Sequence, residues 1–311
     1  MIYTVTFNPA IDYTLHLNEL RIGQINKHCR EQVICGGKGI NVSAMLSVLG
    51  EQTLALGFFA GFTGREMERL LKKEGLNMDF IMLPEGMTRI NVKIRAAEET
   101  DLNTDGPDIP QKYLKKLLSK IDAAKAGDIL CLSGSVPNCI PQTFYATLAR
   151  QCKARGVGVA IDAVGDLLRE TLQYEPFVVK PNREELSQTT GLPCDTLEQV
   201  VVAAKELQSL GAKNVLVSLG GDGAALLPFN GDPMFCSVPG GKAVNTVAAG
   251  DSALAGYLHG FLSTGDQRDA LIYAVAAGSS TAFSDWLGNY EQIRALAEEL
   301  RRDGKLKIIN G

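Results

Sequence analysis

The chain has 311 residues, enough for about two average domains at roughly 150 residues each, or for one large α/β domain with a small addition. Hydrophobic residues make up 45% and charged residues 21%, which excludes a disordered chain, and a net charge of −4 with a pI near 5.6 gives no general attraction to nucleic acid or anionic membranes. No run approaches the ~20 apolar residues of a membrane-spanning helix, the seven Cys contain no Cys-x-x-Cys, and the three His are scattered, so neither a disulfide framework nor a metal cluster is expected.

The start, Met1 to Pro9, reads as a strand and lacks the regions of a signal peptide, which predicts a cytoplasmic protein. Asp12 to Leu17 then alternates polar and apolar, as a half-buried strand does; with Gln24 to Val33 it suggests a small second sheet. A helix follows the glycines at 36, 37 and 39, running from Ile40 to Leu49 and stopping at Gly50. Beyond it, continuous apolar runs suit strands buried on both faces of a parallel sheet: Leu54 to Ala60, Asp128 to Ser133, Val157 to Asp162, Phe177 to Lys180 and Asn214 to Leu219. Between them Gly64 to Glu74, Pro110 to Ala124, Pro141 to Arg155 and Leu197 to Leu210 carry helical spacing, with Gly75, Gly127, Gly156 and Gly211 as terminators. Arg89 to Arg95 alternates again, with Arg89, Asn91 and Lys93 on one face, and joins the small sheet. The C-terminal third reads as helices near Ala253 to Leu262, Gln267 to Phe283 and Tyr290 to Arg301. The rhythm predicts an α/β sandwich with crossover helices.

Glycine clusters carry the candidate chemistry. Gly36-Gly37-Lys38-Gly39 fails the P-loop pattern, because position 32 is Gln and position 39 is Gly; Gly221-Asp222-Gly223 lacks the third glycine of the dinucleotide fingerprint. Asp101 to Gly106 imitates a calcium loop, but its twelfth position is Lys112. Gly250-Asp251 leads directly into a helical run, so unpaired N–H groups would gather there as an anion site. On pattern alone Asp251 fits either a stabilising first-turn acid or a general base. Lys38 and the row Arg89, Asn91 and Lys93 fit equally a solvated surface or a ligand contact. Lys180-Pro181-Asn182-Arg183-Glu184-Glu185 follows an apolar strand, where ligands of open α/β sheets gather.

Taken together, these pieces resemble the ribokinase-like (PfkB) carbohydrate kinases from Met1 to about Gly288. The matching strings are Thr6 to Asp12, Gly36 to Ser43, Gly61 to Gly64, Thr88 to Lys93, Leu132 to Ser135, Lys180 to Glu185, Val217 to Gly223 and Ala249 to Ser252. Gly-Gly-Lys-Gly-Ile-Asn and Thr-Arg-Ile-Asn-Val-Lys resemble in particular the 1-phosphofructokinase branch and its relative, tagatose-6-phosphate kinase. The resemblance implies one kinase domain over residues 1–311, a three-layer α/β/α sandwich with a mostly parallel sheet. A β lid over about 12–35 and 88–102 would pair two subunits as a homodimer.

It also implies an ATP- and Mg²⁺-dependent phosphotransferase acting on a phosphorylated ketose, with fructose 1-phosphate first and tagatose 6-phosphate or fructose 6-phosphate as alternatives. Asp251 would be the base, with the amides of Ala249, Gly250 and Asp251 around the transferred phosphoryl group. Asp12, Gly37 and Asn41 would hold sugar hydroxyls. Lys38, Arg89 and Lys93 would hold the sugar's own phosphate, Asn91 and Ser135 would complete the substrate contacts, and Lys27 would come across the dimer. Lys180, Ser218, Gly220, Gly221, Gly223 and Gly250 would line the nucleotide, and Asn182 and Glu185 would help hold Mg²⁺ through water. The sequence departs from the family at Ala248, where a glycine is usual, at Asp162 to Gly165 and at Val136 to Cys139. Ala248 alone favours a different class, a non-catalytic sugar-phosphate or nucleotide sensor, and the missing fingerprint disfavours a nicotinamide oxidoreductase.

Overall fold

A computed structural model describes residues 1–309. In chain order the elements are β1 (Ile2–Thr6), β2 (Ala10–His16), β3 (Arg30–Gly36), α1 (Lys38–Val48), β4 (Thr53–Ala60), α2 (Gly61–Lys73), β5 (Ile81–Leu83), β6 (Arg89–Arg95), β7 (Glu99–Leu102), α3 (Gln111–Ile121), β8 (Ile129–Ser133) and α4 (Phe144–Arg155). Then follow β9 (Gly158–Asp162), α5 (Asp166–Leu172), β10 (Val178–Val179), α6 (Arg183–Thr190), α7 (Leu197–Ser209), β11 (Asn214–Ser218), β12 (Gly223–Leu227), β13 (Met234–Ser237), α8 (Ala249–Thr264), α9 (Gln267–Ala282), α10 (Tyr290–Arg302) and β14 (Leu306–Ile308).

Ten strands form one sheet in the order β14-β13-β12-β11-β10-β9-β8-β1-β4-β5. From β5 to β11 every pairing is parallel, and β12 to β14 add an antiparallel edge. Strands buried on both faces explain the unbroken apolar runs: in β4, Leu56, Phe58 and Ala60 pack towards α3 to α7, while Ala55 and Phe59 pack towards α1 and α2. Helices α8 to α10 complete the layer on the α1 face. The result is a three-layer α/β/α sandwich whose parallel strands all deliver their C-terminal ends to one rim, where ligands of open α/β sheets collect.

The second sheet runs β3-β2-β6-β7, with β2 and β6 parallel and the outer pairs antiparallel. Register sets Asp12 beside Asn91, so the polar row of β6 and the carboxylate of β2 share a face. Tyr13, Val33, Val92 and Leu102 fall on the opposite face, with Val33 and Leu102 exposed.

Several expectations need correction. The strand expected over Gln24 to Val33 begins only at Arg30, because Asn26 pins the preceding segment as a turn: its side chain accepts from the Arg21 N–H and donates to the Arg21 and Gln24 carbonyls. Gly127 does not end the third helix, which stops at Ile121, and serves the turn into β8 instead. Helix α6 went unrecognised although Asn182 and Glu185 start it with a reciprocal capping box.

Candidate active site

At the rim, the start of α8 faces the ends of β9, β10 and β11 across a cleft of about 570 Å³. Lys38, Asp162, Lys180, Asn182, Glu185 and Asp251 supply its charged and polar side chains, and Ser218 with the glycines at 220, 221 and 223 forms the neighbouring wall. Val238, Pro239, Val275 and Phe283 add apolar lining. A cleft lined by both charged and apolar side chains suits a ligand that has both kinds of surface.

Asp251 lies in the first turn of α8 and is 6% exposed. The N–H groups of Gly250 and Asp251 have no main-chain acceptor among the described residues, so the helix presents two unpaired donors and its positive dipole end to the cleft. The Ala249 N–H is partly engaged, at 3.3 Å from the Thr246 carbonyl, which leaves the neighbouring two as the freer donors of the expected three. Ahead of them Ala248 holds φ 63°, the left-handed conformation anticipated from the missing glycine. A Cβ on Gly250 would come within 3.3 Å of Lys180 Nζ, so glycine lets that ammonium lie against the helix start.

Asp162, at the end of β9 and 1% exposed, is the electrostatic centre that sequence reasoning missed. It accepts a 3.1 Å hydrogen bond from Lys38 Nζ and pairs with Lys180 Nζ at 3.4 Å. Burial pushes its carboxyl up, but the two lysines outweigh burial and hold it below the usual carboxylate range. For Lys38, burial favours the neutral form, and the charges of Asp162, Asp251 and Glu185 overcome it, keeping the ammonium protonated. Asp251 has the reverse balance. Burial first and the Asp162 charge second raise it to about 7, against the opposing pull of the Asn41 hydrogen bond, Lys38 and Lys180. A carboxylate poised near neutral pH beside two unpaired N–H donors suits proton abstraction from a hydroxyl whose oxygen attacks an anionic group.

The second half of the site belongs to the small sheet. Asp12 accepts hydrogen bonds from Asn91 Nδ2 at 2.9 Å and Lys93 Nζ at 3.0 Å. Arg89 lies on the same face, half-buried, with Nε unpartnered; burial depresses its guanidinium against the opposing charges of Asp12 and Asp105. The two halves meet through α1, where Asn41 donates from Nδ2 to Asp251 Oδ2 at 2.7 Å. A Cβ on Gly39 would come within 2.6 Å of Thr6 Oγ1, so glycine is what lets this helix start seat against β1. Asn41 Oδ1 and Asn91 Oδ1 are buried without partners, two acceptors left open where a polyhydroxyl ligand would supply donors.

The structure therefore brings Lys38, Asn41, Lys180, Asn182, Glu185, Ser218, Gly220, Gly221, Gly223, Ala249, Gly250 and Asp251 together around the cleft, and groups Asp12, Arg89, Asn91 and Lys93 beside it. Gly37, with φ 144°, joins β3 to α1 between them. Lys27 and Ser135 are not brought in: both are exposed, on the loops after β2 and β8, and neither lines the cleft. Asn182 and Glu185 cap α6 through each other, Glu185 Oε2 accepting from the Asn182 N–H at 2.8 Å, which leaves Oε1 for another partner. Among the described residues no three His, Cys, Asp or Glu converge as a metal cage. That donor set fits Mg²⁺, which takes one or two carboxylates and fills its shell with phosphate oxygens and water.

Known proteins are similar to this chain along nearly its whole length. Residues 5–285 match the pfkB family of carbohydrate kinases. A 1-phosphofructokinase of Bacillus subtilis is 39% identical over 301 residues, 97% of this chain and 99% of that protein. A D-tagatose-1-phosphate kinase of Bacillus licheniformis is 35% identical over 305 residues, again 97% and 99% of the two chains. The solved structure of phosphofructokinase-2 from Escherichia coli in complex with substrates and products superimposes with a TM-score of 0.91 at 25% identity, covering 97% of this chain and 99% of that one.

Proposed function

The chain belongs to the pfkB family of carbohydrate kinases, and on that premise we propose that it transfers the γ-phosphoryl group of ATP to the 6-hydroxyl of a ketose 1-phosphate, fructose 1-phosphate first. The single observation that carries this reading is the buried Asp251 at the mouth of two unpaired backbone N–H groups, with Lys38 and Lys180 facing it across Asp162. Full-length relatives acting on fructose 1-phosphate and on tagatose 1-phosphate support the position of the existing phosphate. They displace the tagatose 6-phosphate alternative with tagatose 1-phosphate, which differs from fructose 1-phosphate only in configuration at carbon 4. A non-catalytic sensor is disfavoured, because Asp251, Lys38 and Glu185 are all present and line one cleft with the unpaired N–H groups of Gly250 and Asp251.

In the reaction Asp251 takes the proton from the 6-hydroxyl as that oxygen bonds to the γ-phosphorus. The bond from phosphorus to the β,γ-bridging oxygen breaks, and ADP leaves with the electron pair. Gly250 and Asp251 donate N–H groups to the transferring phosphoryl oxygens, and Lys38 and Lys180 offset the charge that builds there. Glu185 and Asn182 would hold Mg²⁺, largely through water, and the ion would supply further charge neutralisation on the phosphates. Ser218, Gly220, Gly221 and Gly223 would follow the nucleotide's phosphates, and the apolar lining its base.

Asp12, Gly37, Asn41 and Asn91 are proposed to hold the sugar hydroxyls, with Lys93, Arg89 and Lys38 around the 1-phosphate. The small sheet then acts as a lid that excludes water. Its uncovered face, with Ile22 and Ile25 exposed on the adjoining loop, supports a homodimer in which a partner's copy covers the apolar residues and brings Lys27 and its neighbours near the site. No described helix is long and apolar enough to cross a membrane; substrates made and used inside cells support a cytoplasmic setting. The test is ³¹P NMR of the product from fructose 1-phosphate and ATP-Mg²⁺. Fructose 1,6-bisphosphate with stoichiometric ADP is expected, and no new phosphate ester from either ketose 1-phosphate would overturn the reading.

A further inference from the structure

We propose that Asn41 is a positioning residue that orients the base: by occupying one carboxylate oxygen of Asp251 it leaves the other as the sole acceptor for the substrate proton. The inference rests on Asp251 serving as the base, and it assigns Asn41 a task beyond holding a sugar hydroxyl.

The geometry is local and rigid. Asn41 and Asp251 are each about nine-tenths or more buried, 6% exposed, and the Nδ2 to Oδ2 bond is 2.7 Å. Asn41 sits in the first turn of α1, where its own N–H bonds to the Gly37 carbonyl at 2.9 Å, so the side chain projects from a fixed point. A carboxylate with both oxygens free can present either one; a donor on Oδ2 removes that choice and lowers the entropy lost on reaching the reactive pose. At position 41 the contact needs a neutral donor, which the amide supplies at this distance. Aspartate there would set two carboxylates against each other, and a longer side chain would not fit between tightly packed helices.

The other charged groups around Asp251 do not supply the same contact. Lys38, from the start of α1, bonds to Asp162 Oδ1; Lys180, after β10, pairs with Asp162 Oδ2; Glu185, on α6, is engaged with the Asn182 N–H; and Asp162, at the end of β9, repels the base. Asn41 is therefore the one side chain among the described residues that hydrogen-bonds to Asp251. Its own Oδ1 stays free to accept from the substrate, so one amide can link ligand arrival to the orientation of the base.

The experiment compares wild type with Asn41→Ala and Asn41→Ser. It measures kcat and KM for fructose 1-phosphate against pH, and titrates the Asp251 carboxyl in the resting enzymes by ¹³C NMR. For Asn41→Ala the expectation is a kcat lower on the order of 10- to 100-fold, as when an outer hydrogen bond orienting a reacting group is lost. KM should rise as well, since the sugar loses Oδ1 as an acceptor, but by less than kcat falls, and the acid limb should move to higher pH because the ionised carboxylate has lost a donor. Serine, which keeps a short hydroxyl donor, should fall between. A rise in KM with kcat and the acid limb unmoved would make Asn41 a substrate contact only and overturn the proposal, as would an Asp251 titration identical in all three proteins. The NMR titration does not depend on turnover: if wild type fails to phosphorylate any ketose phosphate, the functional reading fails, while the Asn41 contact is still decided by the carboxyl shift.

Discussion

Around Asp251 the charged groups are sunk in the rim of the ten-stranded sheet and paired through Asp162, whereas around Asp12 they form a row on one face of a four-stranded sheet whose other face is uncovered. The first arrangement stands on helix starts and strand ends packed on both sides, so its side chains hold their geometry before any ligand arrives. The second joins the first through the glycine turn before α1, the helix that carries Asn41. The proposed function therefore puts chemistry in the first half and substrate recognition in the second. The sharpest way to break that division is to find a residue that acts on the wrong side of it.

The largest effect is expected at Asp251. Asp251→Asn should lower kcat on the order of 10²- to 10⁴-fold while ATP still raises the melting temperature. The same variant carries a stability signature. The folded carboxyl is raised from its ordinary 3.8 to about 7, so the native state binds the proton more tightly than the unfolded chain, and wild-type stability falls as pH rises between those values. The neutral amide escapes this loss. The stability gain of Asp251→Asn should grow from about pH 4 to about pH 7 and level off above; a gain independent of pH in urea titrations would contradict the ionisation balance.

Next comes Asp162→Asn, which leaves Lys180, 4% exposed, without its anion. Breaking a buried pair from one side costs about 3–5 kcal/mol, so urea unfolding should shift strongly and turnover fall with it; an unchanged midpoint would mean that Asp162 holds nothing in place. In the second half, Lys93→Met should raise KM for fructose 1-phosphate about 10- to 100-fold, the worth of a charge-assisted hydrogen bond, with kcat little altered. A fall in kcat instead would erase the distinction between the halves. The smallest change is Ala248→Gly, which relieves a left-handed alanine and should stabilise by about 1 kcal/mol without loss of activity, read from thermal melts.

The division also marks where the sequence was legible. Strands β4, β8, β9 and β11 are continuous apolar runs bounded by glycine, and the helices α4 and α7 have regular spacing, so local pattern located them within a few residues. The Gly250-Asp251 helix start was equally plain, because unpaired N–H groups follow from any helix beginning. The strain at Ala248 could be anticipated from a single missing glycine. What was hidden depends on distance along the chain. Asp162 shows only as an acid ending an apolar strand, and its two partners lie at 38 and 180, brought together by strand order rather than by spacing. The strand-end rule for α/β ligand sites could have singled it out. In the antiparallel edge, β12 is Gly-Ala-Ala-Leu-Leu without β-branched residues and β13 and β14 are only four and three residues long, and the segment before β3 alternates like a strand while the Asn26 side chain holds it as a turn.

The most direct measurement is a coupled ADP-release assay comparing kcat/KM for fructose 1-phosphate, tagatose 1-phosphate, fructose 6-phosphate and unphosphorylated fructose with ATP and Mg²⁺. The account predicts the highest value for fructose 1-phosphate and, with Lys93 and Arg89 proposed to meet its phosphate, a value for fructose lower by on the order of 100-fold or more. Equal turnover of fructose and its phosphates, or none with any of the four, would contradict it.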